Sequence, residues 1–186
     1  MVWLYFTQRT ALFDGRPKRM LHFAPERPIM RRIAAHRYID YCSADLSSPA
    51  AQTHMDISAL TFPDQAFDVI LCCHVLEHVP NDRKAMSELY RVLKPGGWAL
   101  LQVPIRGDTT LENPCATTAE ERRRLFGQED HVRQYGRDFD TRLATAGFVV
   151  TVDDFVGHFD EDRRTELGLV AGDDIYLCRR SDTARA

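Results

Sequence analysis

Residues 67–103 predict a strand, a helix and a second strand in succession, and this order constrains the fold more than any other part of the chain. Residues 69–73 are a short apolar run of β-branched and small side chains, as expected of a strand buried on both faces. Asn81 or Asp82 can cap the next helix, and Pro-Gly-Gly at 95–97 ends it. Apolar side chains follow the helical period at Met86, Leu89, Tyr90 and Leu93. The segment therefore predicts a right-handed βαβ crossover.

Length and charge narrow the classes of protein to which the chain can belong. A chain of 186 residues suits one domain, 1–186, with a sizeable core. Its formal net charge of −3 gives no overall attraction to nucleic acid, and arginines 122–124 form either a local basic patch or a solvated helix face. No apolar run approaches the roughly 20 residues that cross a bilayer, and the first residues lack the features of a signal peptide. We expect a cytoplasmic protein without membrane or nucleic-acid partners.

The five cysteines do not indicate a disulfide framework. Their number is odd, and most of them lie inside apolar runs that resemble strands. Buried reduced thiols are typical of such positions. We therefore predict no disulfide.

Strand and helix patterns alternate along the rest of the chain. Strands are predicted at 18–23, 38–43, 53–57, 148–152 and 175–178, and helices at 28–35, 118–126 and 139–146. This alternation specifies an open, doubly wound α/β sheet, which binds its ligand at the carboxyl ends of its strands. Residues 1–17 form an N-terminal segment, and its apolar and aromatic residues 3–6 either cover the substrate side or continue a longer region. Residues 105–135 are a long polar insertion and a candidate substrate lid.

The block FDVILCCHVLEHVPNDRKAMSELYRVLKPGGWALLQV resembles the centre of class I S-adenosylmethionine-dependent methyltransferases. The resemblance covers about residues 20–178 and implies S-adenosylmethionine as cofactor. It also implies a Rossmann-like, three-layer αβα fold whose mostly parallel sheet has an antiparallel last strand. The segment LHFAPE at 21–26 is similar to a variant found in type 11-like methyltransferases, and it lacks the usual glycine-rich turn.

The resemblance assigns His22, Phe23, Ala24, Pro25 and Glu26 to the cofactor site. Ala-Pro keeps this first loop small without the backbone freedom of glycine. Backbone N–H groups at the following helix start can hold the cofactor carboxylate, while Glu26 faces its ammonium. Alternatively, Glu26 only caps that helix.

Asp45 and Leu46 follow the second strand, where the resemblance implies a carboxylate that accepts both ribose hydroxyls. Asp56 and Ile57 match the acidic and apolar pair that recognises adenine. An Asx turn at Asp45 and a plain surface position for Asp56 are the structural alternatives. The connection 45–54 is too short for the usual helix, so we expect a trimmed sheet edge.

The loop after the fourth strand carries Cys73, His74 and His78, which the resemblance places near the sulfonium end of the cofactor. The sequence His-Val-Leu-Glu-His also fits the H-x-x-E-H pattern of inverzincin metalloproteases. A strand runs directly into His74 and Pro80 follows His78, which leaves no long helix to direct both rings at one ion. We therefore expect no metal site, and core hydrogen bonding remains the alternative role for Glu77 and His78.

Candidates for catalysis come from the same sheet edge. Methyl transfer is a direct displacement, in which positioning contributes much and a base is needed only when the acceptor loses a proton. His131 is the leading candidate base, with His78 and Arg106 as further catalytic candidates. Arg106 or Arg133 can bind an anionic acceptor, or pair instead with Glu129 or Asp130.

The predicted function is transfer of a methyl group to an oxygen, nitrogen or carbon acceptor, on a small molecule. The alternative is a noncatalytic relative that keeps the fold and has lost or altered cofactor binding, which the glycine-free first loop makes credible. No G-x-G-x-x-G follows a predicted strand, which disfavours a nicotinamide oxidoreductase.

Overall fold

The computed structural model describes residues 1–182. Its strands are β1 Lys18–Phe23, β2 Ile39–Asp45, β3 Thr53–His54, β4 Phe67–Cys73, β5 Leu93–Gln102, β6 Leu111–Glu112, β7 Arg133–Gln134, β8 Val149–Asp153 and β9 Ile175–Arg179. Its helices are α1 Val2–Arg9, α2 Arg27–Ala34, α3 Asp82–Val92, α4 Ala119–Phe126, α5 Phe139–Thr145 and α6 Glu161–Leu167. Within this part of the chain, no helix is long and apolar enough to span a membrane.

Seven strands form one sheet in the order β3-β2-β1-β4-β5-β9-β8. The pairs among β1 to β5 are parallel, whereas β9 runs antiparallel to both β5 and β8. The predicted mostly parallel sheet with an antiparallel last strand is confirmed. Strand order reverses between β1 and β4, and ligands of open α/β sheets bind at such a reversal.

Helices cover both faces of this sheet. Along β4, Ile70 and Cys72 contribute to one apolar cluster, while Val69 and Leu71 contribute to the other. This alternation is the period of two that strand geometry imposes on a sheet buried on both sides. The predicted three-layer αβα architecture is confirmed.

The N-terminal helix α1 packs on the sheet. The Phe6 and Trp98 rings meet edge to face with centroids 5.8 Å apart, and Tyr5 meets Phe155 in the same way at 5.2 Å. These contacts place the start of the chain in a core layer.

Some predicted boundaries shift in the structure. The third strand is only Thr53–His54, and no helix lies between β2 and β3 in the described chain, as the short connection predicted. Helix α3 ends at Val92, before the Pro-Gly-Gly sequence, because Leu93 is already extended and pairs with Phe67. Helix α6 was not predicted.

The insertion 105–135 is partly ordered by its own sequence. Thr118 and Glu121 form the predicted capping box at the start of α4, and Gly127 ends that helix in the left-handed region with φ +91°. Strands β6 and β7 pair as a separate antiparallel ribbon. A role as a moving lid remains a prediction.

Candidate active site

A cavity of about 580 Å³ opens at the carboxyl ends of the central strands, and we call it the strand-end cavity. Eight of the predicted cofactor-binding residues line it: Phe23, Ala24, Asp45, Leu46, Asp56, Ile57, His74 and His78. Six further lining residues had not been assigned: Ser47, Met55, Val75, Val79, Pro80 and Asp130. All six lie beside residues that carry the resemblance, or in the insertion, so proximity in the sequence was the available signal. The wall therefore combines loops after β1, β2, β3 and β4 with the insertion.

Two residues of the cavity wall adopt the left-handed backbone conformation that usually requires glycine. Ala24 has φ +49° after β1, and His74 has φ +55° after β4. The N–H group of each residue still continues the hydrogen bonding of its strand with the neighbouring strand. Ala24 N donates to Ala44 O at 3.0 Å, and His74 N donates to Gln102 O at 2.8 Å. Such conformations cost roughly 1–3 kcal/mol and concentrate at functional sites. Ala24 thus adopts, at this cost, a conformation that glycine adopts without strain.

Asp45 and Asp56 present carboxylates to the cavity and also stabilise their own loops. Oδ1 of Asp45 accepts hydrogen bonds from Ser47 N at 2.8 Å and Ser48 N at 2.7 Å. Oδ1 of Asp56 accepts from both Ser58 N and Ser58 Oγ at 2.7 Å, and the backbone bond, followed by the hydroxyl bond, lowers the pKa of Asp56. The Asx turn proposed as an alternative at Asp45 is therefore present. These bonds use one oxygen of each carboxylate, so the turn and a ligand contact are compatible.

His22, Tyr41 and Glu26 form a hydrogen-bonded chain at the first loop, outside the cavity lining. Buried His22 lies between Tyr41 and Glu26, with 2.8 Å from Nδ1 to the Tyr41 hydroxyl and 2.8 Å from Nε2 to Glu26 Oε2. Glu26 stands at the N-cap of α2, but its side chain makes no capping bond. Burial opposes ionisation of Glu26, yet the bond and charge of His22 outweigh it and lower the pKa of the carboxyl. Burial, followed by the Glu26 charge, raises the pKa of Tyr41.

Four predicted cofactor residues, His22, Pro25, Glu26 and Cys73, are absent from the cavity lining. The Cys73 side chain is buried in the core layer that contains α1, because successive strand residues point to opposite faces. Burial raises the pKa of the Cys73 thiol well above its usual range. Cys73 is thus a packing residue, and the thiol is protonated at neutral pH.

The turn after β4 brings several polar side chains together. Leu76–His78 is a single 3-10 turn, and α3 begins only at Asp82, so no long helix carries the His-Val-Leu-Glu-His sequence. His74 Nδ1 lies 3.6 Å from Glu77 Oε1, and this carboxylate raises the pKa of His74 against the opposing effect of burial. His78 Nδ1 lies 3.2 Å from Asp130 Oδ2. The metalloprotease arrangement is absent from this turn.

The three catalytic candidates differ in their access to the cavity. His78 lines it, whereas His131 is buried with its ring edge to face against His78, at a centroid distance of 4.8 Å. Nδ1 of His131 lies 3.1 Å from Phe126 O. Arg106 is exposed, its guanidinium lies beside Gly127, and it does not line the cavity.

Arg133 has a structural environment. Its guanidinium is buried and donates to the carbonyls of Leu76, Val79 and Pro80, and to Glu112 at 2.8 Å. The predicted alternative partners bind elsewhere, since Glu129 pairs with Arg123 and Asp130 with His78. Arg133 therefore holds the turn after β4 against β7.

Comparison with protein families gives a match over part of the chain. A family described as "Methyltransferase domain" matches residues 29–101, which begins just after the glycine-free first loop. A probable S-adenosylmethionine-dependent methyltransferase of Mycolicibacterium smegmatis is 32% identical over 127 residues, which cover 66% of this chain and 43% of that protein. The ubiquinone/menaquinone biosynthesis C-methyltransferase of Hydrogenovibrio crunogenus is 49% identical over 45 residues, covering 24% of this chain and 18% of that protein. The matches thus span less than half of either relative.

Solved structures share the fold at low sequence identity. The YcgJ protein of Bacillus subtilis has a TM-score of 0.58 and 16% identity, and the alignment covers 97% of each chain. Phosphoethanolamine N-methyltransferase 2 of Haemonchus contortus, solved with S-adenosylhomocysteine, has a TM-score of 0.64 and 16% identity over 96% of this chain and 52% of that one. Residues 29–101 thus match a methyltransferase domain, and the described chain shares the fold of these solved structures.

Proposed function

We propose that the chain binds S-adenosylmethionine in the strand-end cavity and transfers its methyl group to an oxygen, nitrogen or carbon acceptor on a small molecule. The observation that carries the proposal is the pair of carboxylates, Asp45 and Asp56, at the ends of neighbouring strands in one cavity. When bound, S-adenosylmethionine supplies an electrophilic methyl group on a sulfonium centre. The residues of the chain bind the cofactor, orient it and position the acceptor.

The cavity fits the cofactor in size and in chemistry. Its volume of about 580 Å³ lies within the roughly 300–1,000 Å³ typical of small-molecule sites. Oδ2 of Asp45 is an acceptor for the vicinal ribose hydroxyls, and Asp56 is an acceptor for the exocyclic amine of adenine. Ile57 and Met55 supply apolar surface beside that carboxylate.

The first loop supports binding of the amino-acid part of the cofactor. The left-handed Ala24 has a small side chain at the wall, so a ligand can approach the backbone there. Glu26 lies two residues after Ala24, and its lowered pKa keeps a negative charge near the loop at neutral pH. We assign to Glu26 the electrostatic attraction of the cofactor ammonium, with His22 positioning the carboxylate.

On the acceptor side we assign His78 and the insertion 105–135. His78 is the catalytic candidate that lines the cavity, and Asp130 of the insertion holds its ring. Direct proton transfer by His131 or direct binding by Arg106 requires the insertion to move. We propose the insertion as the substrate lid on this basis.

The test is calorimetric titration of the purified chain with S-adenosylhomocysteine. Asp45→Asn keeps one side-chain oxygen for the Asx turn but removes the charge and the second acceptor. We expect it to weaken binding by about 10-fold to 100-fold, as for loss of a charge-assisted hydrogen bond. The matched control is Asp160→Asn, because Asp160 accepts a similar bond from Arg163 N at the start of α6, away from the cavity.

Two results would overturn the proposal. The first is wild-type protein that binds no S-adenosylhomocysteine, which favours the noncatalytic relative. The second is equal affinity for the wild type and Asp45→Asn. Transfer of a labelled methyl group to a panel of small-molecule acceptors then tests catalysis.

A further inference from the structure

Glu77, His78 and His131 form a compact group beside the strand-end cavity, which we call the Glu-His cluster. One potential ligand atom from each residue lies within 4.8 Å of the other two. Ligand atoms that share one ion at about 2.1 Å lie roughly 3–4 Å apart, so small side-chain rotations bring all three to coordination distance. Glu77 and His131 are only 2% and 4% exposed, which excludes a chance grouping of surface side chains.

The carboxylate of this cluster has an unused oxygen in a buried place. Oε2 of Glu77 is buried and has no hydrogen-bond partner among residues 1–182. The other oxygen, Oε1, lies 3.6 Å from His74 Nδ1. An unpartnered buried carboxylate is unfavourable, and a bound cation removes that penalty. The orphan oxygen is therefore evidence for a missing positive partner.

In both histidines, one ring nitrogen faces an oxygen atom of the protein, and the other is available to bind a ligand. Nδ1 of His131 faces the Phe126 carbonyl, and Nδ1 of His78 faces the Asp130 carboxylate. Carbonyl and carboxylate oxygens only accept, so these partners favour a proton on Nδ1 of each ring and leave Nε2 as the nitrogen available to an ion. A carbonyl or carboxylate on the second nitrogen is the usual arrangement for metal-binding histidines.

Hydrogen bonds fix the positions of the two chain segments that carry the three residues. Val132 N donates to Glu77 O at 2.9 Å, and Arg133 Nη1 donates to Leu76 O at 2.9 Å. These bonds join the turn that carries Glu77 and His78 directly to the segment that carries His131. The arrangement is thus preorganised.

We propose that Glu77, His78 and His131 bind one divalent cation through a carboxylate oxygen and two imidazole nitrogens. This ligand set suits zinc, manganese or ferrous iron better than magnesium. The sequence predicts no metal site because the candidate ligands at 72–78 lie on a strand end and a short turn, whereas the third ligand, His131, comes from the insertion. The role is distinct from proton transfer, since Nε2 of each histidine then binds the ion.

The position of the cluster also narrows the class of acceptor, and this step rests on the proposed function. His78 and Asp130 line the strand-end cavity, so an ion held by His78 lies at its wall. An ion with three protein ligands has coordination positions left for an acceptor. We infer an acceptor that carries a metal-binding oxygen, such as a hydroxyl group next to a second oxygen.

The test titrates the tag-free full chain, stripped with a chelator, with zinc, manganese or magnesium chloride and no cofactor. We expect one zinc or manganese ion per chain, and an unfolding temperature that rises with that ion. Glu77→Gln and His131→Gln should each weaken binding by more than about 100-fold, and Asp130→Asn by about 10-fold. His158→Gln is the matched control, because His158 Nδ1 also faces a backbone carbonyl, that of Asp154, outside the cluster.

Absence of saturable binding, equal affinity in Glu77→Gln, or an equal loss in His158→Gln would overturn the site. If Glu77→Gln or His131→Gln does not fold, His78→Gln replaces it in the test, because His78 is a partly exposed ligand. This variant should also lose metal binding. Metal binding without S-adenosylhomocysteine binding contradicts only the proposed function. Binding of S-adenosylhomocysteine without binding of a metal ion contradicts only the metal site.

Discussion

Glu77, in the turn after β4, and Asp82, the first residue of α3, are both buried carboxylates, and their surroundings are opposite. Asp82 is 3% exposed and accepts hydrogen bonds from the Tyr135 hydroxyl at 2.7 Å and from Arg142 at 2.8 Å. Arg133 lies 3.7 Å away and shares Glu112 with Arg142. Glu77 is 2% exposed and has an oxygen without a partner.

The contrast identifies Asp82 as a structural carboxylate and Glu77 as a candidate metal ligand. We call Asp82, Glu112, Arg133, Tyr135 and Arg142 the buried network. Two arginines and a hydroxyl satisfy Asp82, so this network joins α3, α5 and the insertion without an external partner. The Glu-His cluster has less positive charge around its carboxylate, which suits a site completed by an ion.

The largest expected effect is loss of the Asp82 charge. Asp82→Asn leaves two arginines next to an amide, and we expect the free energy of unfolding to fall by about 3 kcal/mol. Chemical denaturation in the presence of chelator measures the change. Asp64→Asn is the control for a carboxylate in an exposed pair with Arg91, and it should cost less than about 1 kcal/mol. Equal effects would mean that the buried network does not stabilise the fold.

Removal of the Tyr135 hydroxyl should have the next largest effect. Tyr135→Phe deletes one charge-assisted hydrogen bond to Asp82, and we expect a loss of about 2 kcal/mol of unfolding free energy. Tyr38→Phe is the control, since that hydroxyl contacts the imidazole of His36 at a partly buried position. A loss no larger than that of the control would show that Arg142 and Arg133 alone satisfy Asp82.

Glu77→Gln should act in the opposite direction. With chelator present, an amide of the same shape replaces a buried carboxylate whose Oε2 has no hydrogen-bond partner, and we expect the free energy of unfolding to rise by about 1 kcal/mol. The same denaturation series as for Asp82→Asn gives the comparison. If Glu77→Gln destabilises the protein as much as Asp82→Asn, the two carboxylates are equivalent and the contrast fails.

Glu26 lies between these extremes, with one side-chain partner and partial exposure, and it should give the smallest effect. Its pKa in the folded chain is below the ordinary value of 4.5, so ionised Glu26 stabilises the fold above about pH 4.5. That stabilisation is lost as the pH falls through the folded-state pKa. We expect Glu26→Gln to cost less than about 1 kcal/mol near pH 6, and progressively less as the pH falls below about 4.5 toward 3. Denaturation across this range checks it, and a pH-independent difference would contradict the assignment.

Much of the fold was predictable because its signals are local. The apolar run of β4, the Asn81 cap that accepts from Lys84 N and the capping box of α4 all depend on residues close in sequence. Helix α6 was missed because its seven residues have no buried side chain, and therefore no apolar period. The short β3 was overestimated because its pairing is limited to two residues of β2.

The cofactor site was predictable in part for a related reason. Asp45 and Asp56 follow strands, and parallel strands bring their carboxyl ends to one edge, where both residues line the cavity. Glu26 turned toward His22, a contact that depends on the exact path of the first loop. The sequence could not indicate that Ala24 adopts a left-handed backbone.

The sequence by itself determined the order of strands and helices, the sheet edge that carries the cavity, and the carboxylates at that edge, since each follows from local patterns and strand direction. Only the tertiary structure decided which buried charges are paired. Asp82 meets arginines of β7 and α5, and Glu77 meets a histidine of the insertion, across long stretches of chain. Such contacts depend on how the insertion packs against the turn after β4, and no local pattern encodes that packing.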